Sequence, residues 1–218
     1  MRLTTAETAT HSGTFNDSYL LKALLGWYVV IWALLAIDPV DRQDWFLDNM
    51  LAIGLMVVLL TTYRYFPLSD LSYMLITIFM TLHAIGAHYT YSKVPLGFWV
   101  QDMWALDRNH FDRLAHFSFG LLLAYPLREM FLRRVHIRGF WAYYLPVSGI
   151  LALSGFFEIL ESWIAQLVRP DLGEAYLGTQ GDEWDAQKDM TLALIGALFA
   201  MVQTFLISRW RYAPSRLP

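Results

Sequence analysis

EILESWIAQLVRPDLGEAYLGTQGDEWDAQKDM, residues 158–190, decides how the rest of the chain is read. Two carboxylates, Glu158 and Glu161, stand near the end of a strongly apolar segment. A polar loop follows, and Asp182, Asp185 and Asp189 lead into another apolar segment. In a soluble protein this is helix, loop, helix. Here the flanking segments are long enough to cross a bilayer. An ionisable group inside hydrocarbon costs about 2.5–3.5 kcal/mol on insertion scales, so it faces a cavity or a partner. The stretch therefore predicts a polar site at one face of a membrane domain.

Composition agrees. Of 218 residues, 56% are hydrophobic and only 16% charged, with mean hydropathy +0.38. Soluble domains carry about 25% charged residues. No cysteine is present, which excludes disulfides, thiolate metal sites and cysteine nucleophiles. No Lys/Arg run with interleaved aromatics suggests nucleic acid as a partner.

Working outward, six apolar segments stand at about Leu20–Ile37, Trp45–Thr62, Leu71–Ala87, Leu114–Leu132, Trp141–Leu167 and Met190–Ile207. Each is near the 17–25 residues that span hydrocarbon. The expected fold is all-α, a polytopic integral membrane protein of about six transmembrane helices. Residues 1–19 form a polar cytoplasmic tail, 20–208 the transmembrane domain and 209–218 a basic cytoplasmic tail. The first span is read as retained rather than as a signal peptide. Ten Lys and Arg fall on the side of the termini and six on the other, with Arg128–Arg138 and Arg209–Arg216 deciding it. The positive-inside rule then places both termini in the cytoplasm, in a bacterial inner membrane.

That topology gathers chemistry at the extracytoplasmic side. The third span ends with His83, His88, Tyr89 and Tyr91. The next loop carries Arg108, and the fourth span opens with Asp112, Arg113 and His116. The fifth delivers Glu158 and Glu161, and the sixth begins with Asp185 and Asp189, with Asp48 and Asn49 on the same side. Asp112 and His116 are i,i+4 and Glu158 and Glu161 i,i+3, so each pair shares a helix face.

Carboxylates and imidazoles without thiols suit a hard or borderline divalent ion: zinc, manganese or magnesium. His83, His88, His116, Glu158 and Asp185 are the candidate metal ligands. Glu158, Glu161, Asp185, Asp189 and Asp112 are the candidate acids and bases. Arg108 and Arg113 suit an anionic group through forked hydrogen bonds, with Tyr89, Tyr91 and Gln180 beside them. Against these stand plainer roles: helix–helix polar contacts for each acid and histidine, and an interfacial aromatic belt for Tyr89, Tyr91, Trp99 and Trp104.

HAIGAHYTYSKVPLG (83–97), RNHFDRLAHFSFG (108–120), EILESW (158–163) and LGTQGDEWDAQKDM (177–190) resemble the YjdF-type bacterial inner-membrane proteins. The resemblance implies a multi-span inner-membrane protein and brings no reaction with it. A weaker likeness is to the VanZ-type membrane proteins, associated with glycopeptide resistance. Asp112, Arg113, His116, Phe117, Glu158, Asp185 and Gly196 lie on their pattern, and Asp189 replaces their usual Asn.

Three functions fit the residues. One is a metal-dependent enzyme on a lipid-linked or envelope substrate. The second is a protein that binds or transports protons, cations or a small molecule, and the third a structural accessory protein. The apolar inner halves of most spans favour a one-sided pocket over a channel.

Overall fold

The computed structural model describes residues 18–168, 173 and 176–211. Residues 1–17 and 212–218, the greater part of the two expected tails, lie outside the described residues. The chain is all-α among the described residues. Its helices are α1 (Tyr19–Leu35), α2 (Arg42–Thr62), α3 (Asp70–His88), α4 (Pro95–Trp104), α5 (Phe111–Met130), α6 (Trp141–Leu167) and α7 (Asp185–Arg211). A π-helical turn, Phe131–Val135, follows α5.

Their starts follow from local chemistry. Ser18, Asp41 and Ser69 precede α1, α2 and α3, and each side chain accepts from a first-turn amide. Pro95 opens α4, where a missing N–H costs nothing. Asn109 Oδ1 accepts from the Phe111 amide at the head of α5. Asp182 Oδ1 accepts from Trp184 N just before α7.

Four helices, α2, α3, α6 and α7, are long and apolar enough to cross a membrane. Helix α1 is apolar but has 17 residues. Helix α5 has the length, yet every 18-residue window across it holds Arg113 and Arg128 with Asp112 or Glu129 or both. Three helices start three or more residues before their expected bounds, the first being α2, at Arg42 rather than Trp45. Helix α5 starts at Phe111 rather than Leu114, and α7 at Asp185 rather than Met190, because the acids at those positions are absorbed into the first turns, where the helix dipole favours them. The short α4 was not anticipated: its run of ten residues is too brief for apolar periodicity to separate it from a loop.

The bundle has two apolar cores. Tyr28, Ala52, Ile76 and Met80 join α1, α2 and α3. Ala124, Ile150, Ala193, Ala197 and Met201 join α5, α6 and α7. Leu123 packs against both, and the Phe79 and Phe119 rings meet edge to face at 5.5 Å between α3 and α5.

The α5–α7 contact positions everything else. The two helices run in the same direction and meet through small residues. A Cβ at Gly120 would run into the Ala193 carbonyl, and one at Gly196 into the Phe117 carbonyl. Hydrocarbon offers helices no hydrophobic drive to associate, so close backbone approach supplies the contact. Gly120 and Ala124 are i,i+4, as are Ala193 and Ala197. Continued one and two turns toward the helix starts, the same rows carry His116 and Asp112 on α5, and Asp189 and Asp185 on α7. The small-residue seam thus sets the polar residues against one another.

At the opposite end of the bundle, Glu129 is buried. Its carboxylate accepts from Ser69 N (2.8 Å), Ser69 Oγ (2.7 Å), Ser72 Oγ (2.6 Å) and Arg133 (2.6 Å). Arg133 also donates to the Pro67 carbonyl, and Arg128 donates to the Ala142 carbonyl over the Tyr143 ring. This knot ties α3 to α5. Replacing Glu129 by Gln is expected to lower stability by about 1–3 kcal/mol, since buried donors lose their ionised acceptor. Thermal unfolding in detergent, beside the exposed-site control Glu183→Gln, checks it.

Candidate functional site

The end of the bundle formed by the starts of α2, α5 and α7 and the ends of α3 and α6 holds three connected groups of polar residues. The first is a charge clamp. Arg108 Nη1 donates to Asp185 Oδ1 at 2.5 Å and to the Thr179 carbonyl at 2.7 Å. Its Nη2 donates to Asp185 Oδ2 at 3.3 Å and the Gly178 carbonyl at 3.1 Å. Arg113 donates to Asp182, and to Asp185 at 3.3 Å.

The 178–182 loop is shaped for this. Gly178 (φ +62°), Gln180 (φ +48°) and Gly181 (φ +85°) are left-handed, a conformation that glycine adopts freely. That curl offers two successive carbonyls to one guanidinium. Gln180 then exchanges two hydrogen bonds with the Asn109 backbone, accepting at 3.1 Å and donating at 2.9 Å. Asn109 itself is buried and donates to the Val94 carbonyl at 3.0 Å. Its amide lies against Gly97, where a Cβ would collide with it.

Asp182, in the loop, is held down to about 2, mainly by the hydrogen bond from Lys188 and further by the Trp184 amide and Arg113. Because the folded value is depressed, its stabilising effect is present above the usual aspartate range. It is lost as pH falls toward about 2. His110 is pushed below the ordinary imidazole value by burial and by Arg113 and Arg108. It therefore stays neutral and accepts from Arg113 at Nδ1 (3.2 Å).

The second group is the candidate cation site. Asp112, His116 and Asp189 each present one ligand atom, and these atoms lie within 4.8 Å of one another. His116 Nε2 is 3.7 Å from Asp112 Oδ1 and 3.6 Å from Glu158 Oε1. Asp189 is 2% exposed, and its Oδ1 has no hydrogen-bond partner; neither has Glu158 Oε1.

The third group adjoins it on α2 and α3. Thr90 and Tyr91 are left-handed (φ 51° and 48°), an unusual state for such side chains. They fold the Tyr91 ring back over Gly86, where no Cβ fits, to reach His83. Tyr91 Oη meets His83 Nδ1 at 2.5 Å. Burial and the carboxylates of Asp48, Asp112 and Glu161 push the Tyr91 phenol far above its usual value. The other ring nitrogen, His83 Nε2, has no hydrogen-bond partner. Asp44 and Asp48, buried one turn apart on α2, each have an unpartnered oxygen.

Of the sequence candidates, the fold brings Asp112, His116, Glu158 and Asp189 together, with Glu161 in electrostatic reach of Asp48, Asp112 and Asp189. Asp185 faces Arg108 and Arg113 rather than the histidine. His83 meets Tyr91 at Nδ1 and stands apart from the Asp112–His116–Asp189 group. His88 donates from Nδ1 to the Leu35 carbonyl at 2.8 Å and packs edge-on to Tyr89 (4.4 Å), tying α1 to α3. Arg108 and Arg113 are occupied by carboxylates, and Gln180 by Asn109. Asp44 and Asn109 escaped the sequence reading. Asp44 stands in the first turn after a capping aspartate and reads as solvated, and the role of Asn109 depends on Gln180, 71 residues away.

Taken together, the seven carboxylates of Asp44, Asp48, Asp112, Glu158, Glu161, Asp185 and Asp189 outnumber the cations close by among the described residues, Arg108 and Arg113 with Lys93 near Asp44. Such an excess of carboxylates cannot stay charged in a low dielectric. Protons or a cation must balance it.

Comparison with known proteins agrees with this class of molecule. The family model described as "Predicted membrane protein (DUF2238)" matches residues 20–210. "Inner membrane protein YjdF" of Escherichia coli (strain K12) is 39% identical over 163 residues, 74% of this chain and 78% of that protein. No solved structure matches.

Proposed function

The chain belongs to the DUF2238 family of predicted membrane proteins, and from that premise we propose that it is a divalent-cation-dependent enzyme acting on a lipid-linked or envelope substrate. One observation carries this reading: Asp112, His116 and Asp189 converge within 4.8 Å, and the buried Asp189 Oδ1 lacks a partner. Two carboxylates and one imidazole suit zinc, manganese or magnesium. A divalent ion supplies Lewis-acid polarisation of a phosphoryl or carbonyl oxygen.

The chain's own residues supply the rest. Glu158 Oε1, free of hydrogen bonds and 3.6 Å from His116, is placed to take or give a proton at the edge of the triad. Arg108 and Arg113 hold Asp185 away from the triad and fix the loop above it. On the far side, an alanine-rich core of α5 and α7 separates the cluster from the Glu129 knot. That supports a one-sided pocket over a conducting path.

Elemental analysis of detergent-purified protein, prepared without chelators, tests the reading. The expected result is about one divalent ion per chain. In Asp189→Asn and His116→Ala the affinity should fall at least about 100-fold, above the loss typical of a supporting residue. A metal-free wild type would overturn it and leave proton exchange or a purely structural network as the role of the cluster.

The same proposal places the chain in a bacterial inner membrane with six spans, α1 and α5 joining the four apolar helices, and both termini in the cytoplasm. The charges of α5 face the site, Glu129 and the Ala142 carbonyl rather than lipid, which is what a polar-bearing span requires. A reporter fused after Pro218 is expected to report a cytoplasmic location. An extracytoplasmic signal would reverse the orientation.

A further inference from the structure

A groove of about 610 Å³ runs along the outer surface between α6 and α7. It lies within the range of about 300–1,000 Å³ typical of ligand sites. Its walls include Gly155, Phe156, Ile159, Trp163 and Met190, and one carboxylate, Glu158, reaches it. Phe156, Ile159 and Trp163 are about half exposed on a helix long enough to cross a membrane, so the groove opens onto hydrocarbon. Glu158 Oε1 is also 3.6 Å from His116 Nε2. The groove thus leads from the lipid face to the edge of the cation site. Trp163 and Trp184, both more than half exposed, stand where interfacial tryptophans mark head-group depth.

We infer that this groove holds the hydrocarbon chain of a membrane amphiphile whose phosphate head reaches the Asp112–His116–Asp189 site past Glu158. The inference rests on the cation reading for the head group. The carboxylates at that end repel a bare phosphate, and a divalent ion at the triad reverses the sign. A water-soluble substrate has no use for an apolar wall open to lipid. The tail is accommodated because Gly155 and Ala152 leave the wall shallow; a Cβ at Gly155 meets only the flexible Met190 sulfur, at 3.4 Å.

The test uses the full chain in phosphatidylglycerol nanodiscs containing a trace of phosphatidylglycerol with a photoactivatable acyl chain. Cross-linked peptides are mapped by mass spectrometry, and metal content is measured in parallel. Labelling within 152–163 and 186–190 is expected to exceed that of the exposed Val57–Val58 pair of α2 about tenfold, a preference worth about 1.4 kcal/mol. Gly155→Trp should bring it to the α2 level with metal content unchanged. Ala152→Phe, at the exposed rim of the groove, should do the same and covers a folding failure of the first variant. Even labelling around the wild-type bundle would overturn the groove, whatever the metal content. Enriched labelling in a protein without metal would sink the cation reading and the head-group half of the inference, and leave the chain site standing.

Discussion

Replacing Gly120 by leucine is expected to abolish the folded state. The added Cβ alone would sit inside van der Waals contact of the Ala193 carbonyl and too close to the Ala197 amide. These are backbone atoms of a packed helix and cannot swing aside as a side chain would. Overpacking against yielding side chains costs about 1–3 kcal/mol. Against backbone, alanine should reach the upper end of that range, and leucine should exceed it and part α5 from α7. Because His116 and Asp112 lie one and two turns above Gly120 on the same helix row, the cation site should disperse with the seam. Size-exclusion profiles and thermal unfolding check the fold. Metal content of any Gly120→Ala protein that survives checks the coupling. Gly54→Leu is the control, since nothing lies within 4 Å of a Cβ there.

The second large effect concerns the charge clamp. Asp185→Leu is expected to destabilise by about 3–5 kcal/mol, because it leaves the buried Arg108 with only the longer contact to Asp182 at 3.9 Å. Arg108→Leu should cost a comparable amount, since it leaves Asp185 with only the longer contact to Arg113 and frees the Gly178 and Thr179 carbonyls. The double variant should recover part of the loss, as apolar pairs often match buried ion pairs in stability. Full recovery is not expected, for the loop carbonyls still lack their donor. A double-mutant cycle on thermal unfolding measures this coupling. If the clamp only organises the site, metal affinity should follow stability in all three variants. A double variant that regains stability while staying metal-free would assign Asp185 a part in holding the cation.

Which residues act on one another explains how far the sequence could be read. Asp112 with His116, and Asp185 with Asp189, were legible because helical spacing alone places i and i+4 on one face. The convergence of α3, α5, α6 and α7 ends at one side was legible because alternating spans force it. Which member of each pair faces which neighbour was not. Asp185 and Asp189 are one turn apart and chemically alike, yet the first meets two guanidiniums and the second an imidazole and an unbalanced carboxylate. Arg108 and Arg113 read equally well as holders of an external anion or of an internal carboxylate. Glu129 stands inside the basic Arg128–Arg138 stretch, and nothing local to it points to its partners Ser69 and Ser72, about 60 residues away.

By itself, then, the sequence determined the all-α membrane class, the approximate helix positions and the polar end of the bundle. These depend on quantities local to a segment: hydropathy over a span, capping residues and the parity of crossings. Tertiary structure alone decided the partners. The reason is the α5–α7 seam. The relative axial shift of two helices comes from where Gly120 and Gly196 let backbones touch. That shift brings Asp189, not Asp185, level with His116, because an axial register between two helices is a property of their contact and is written in neither helix alone.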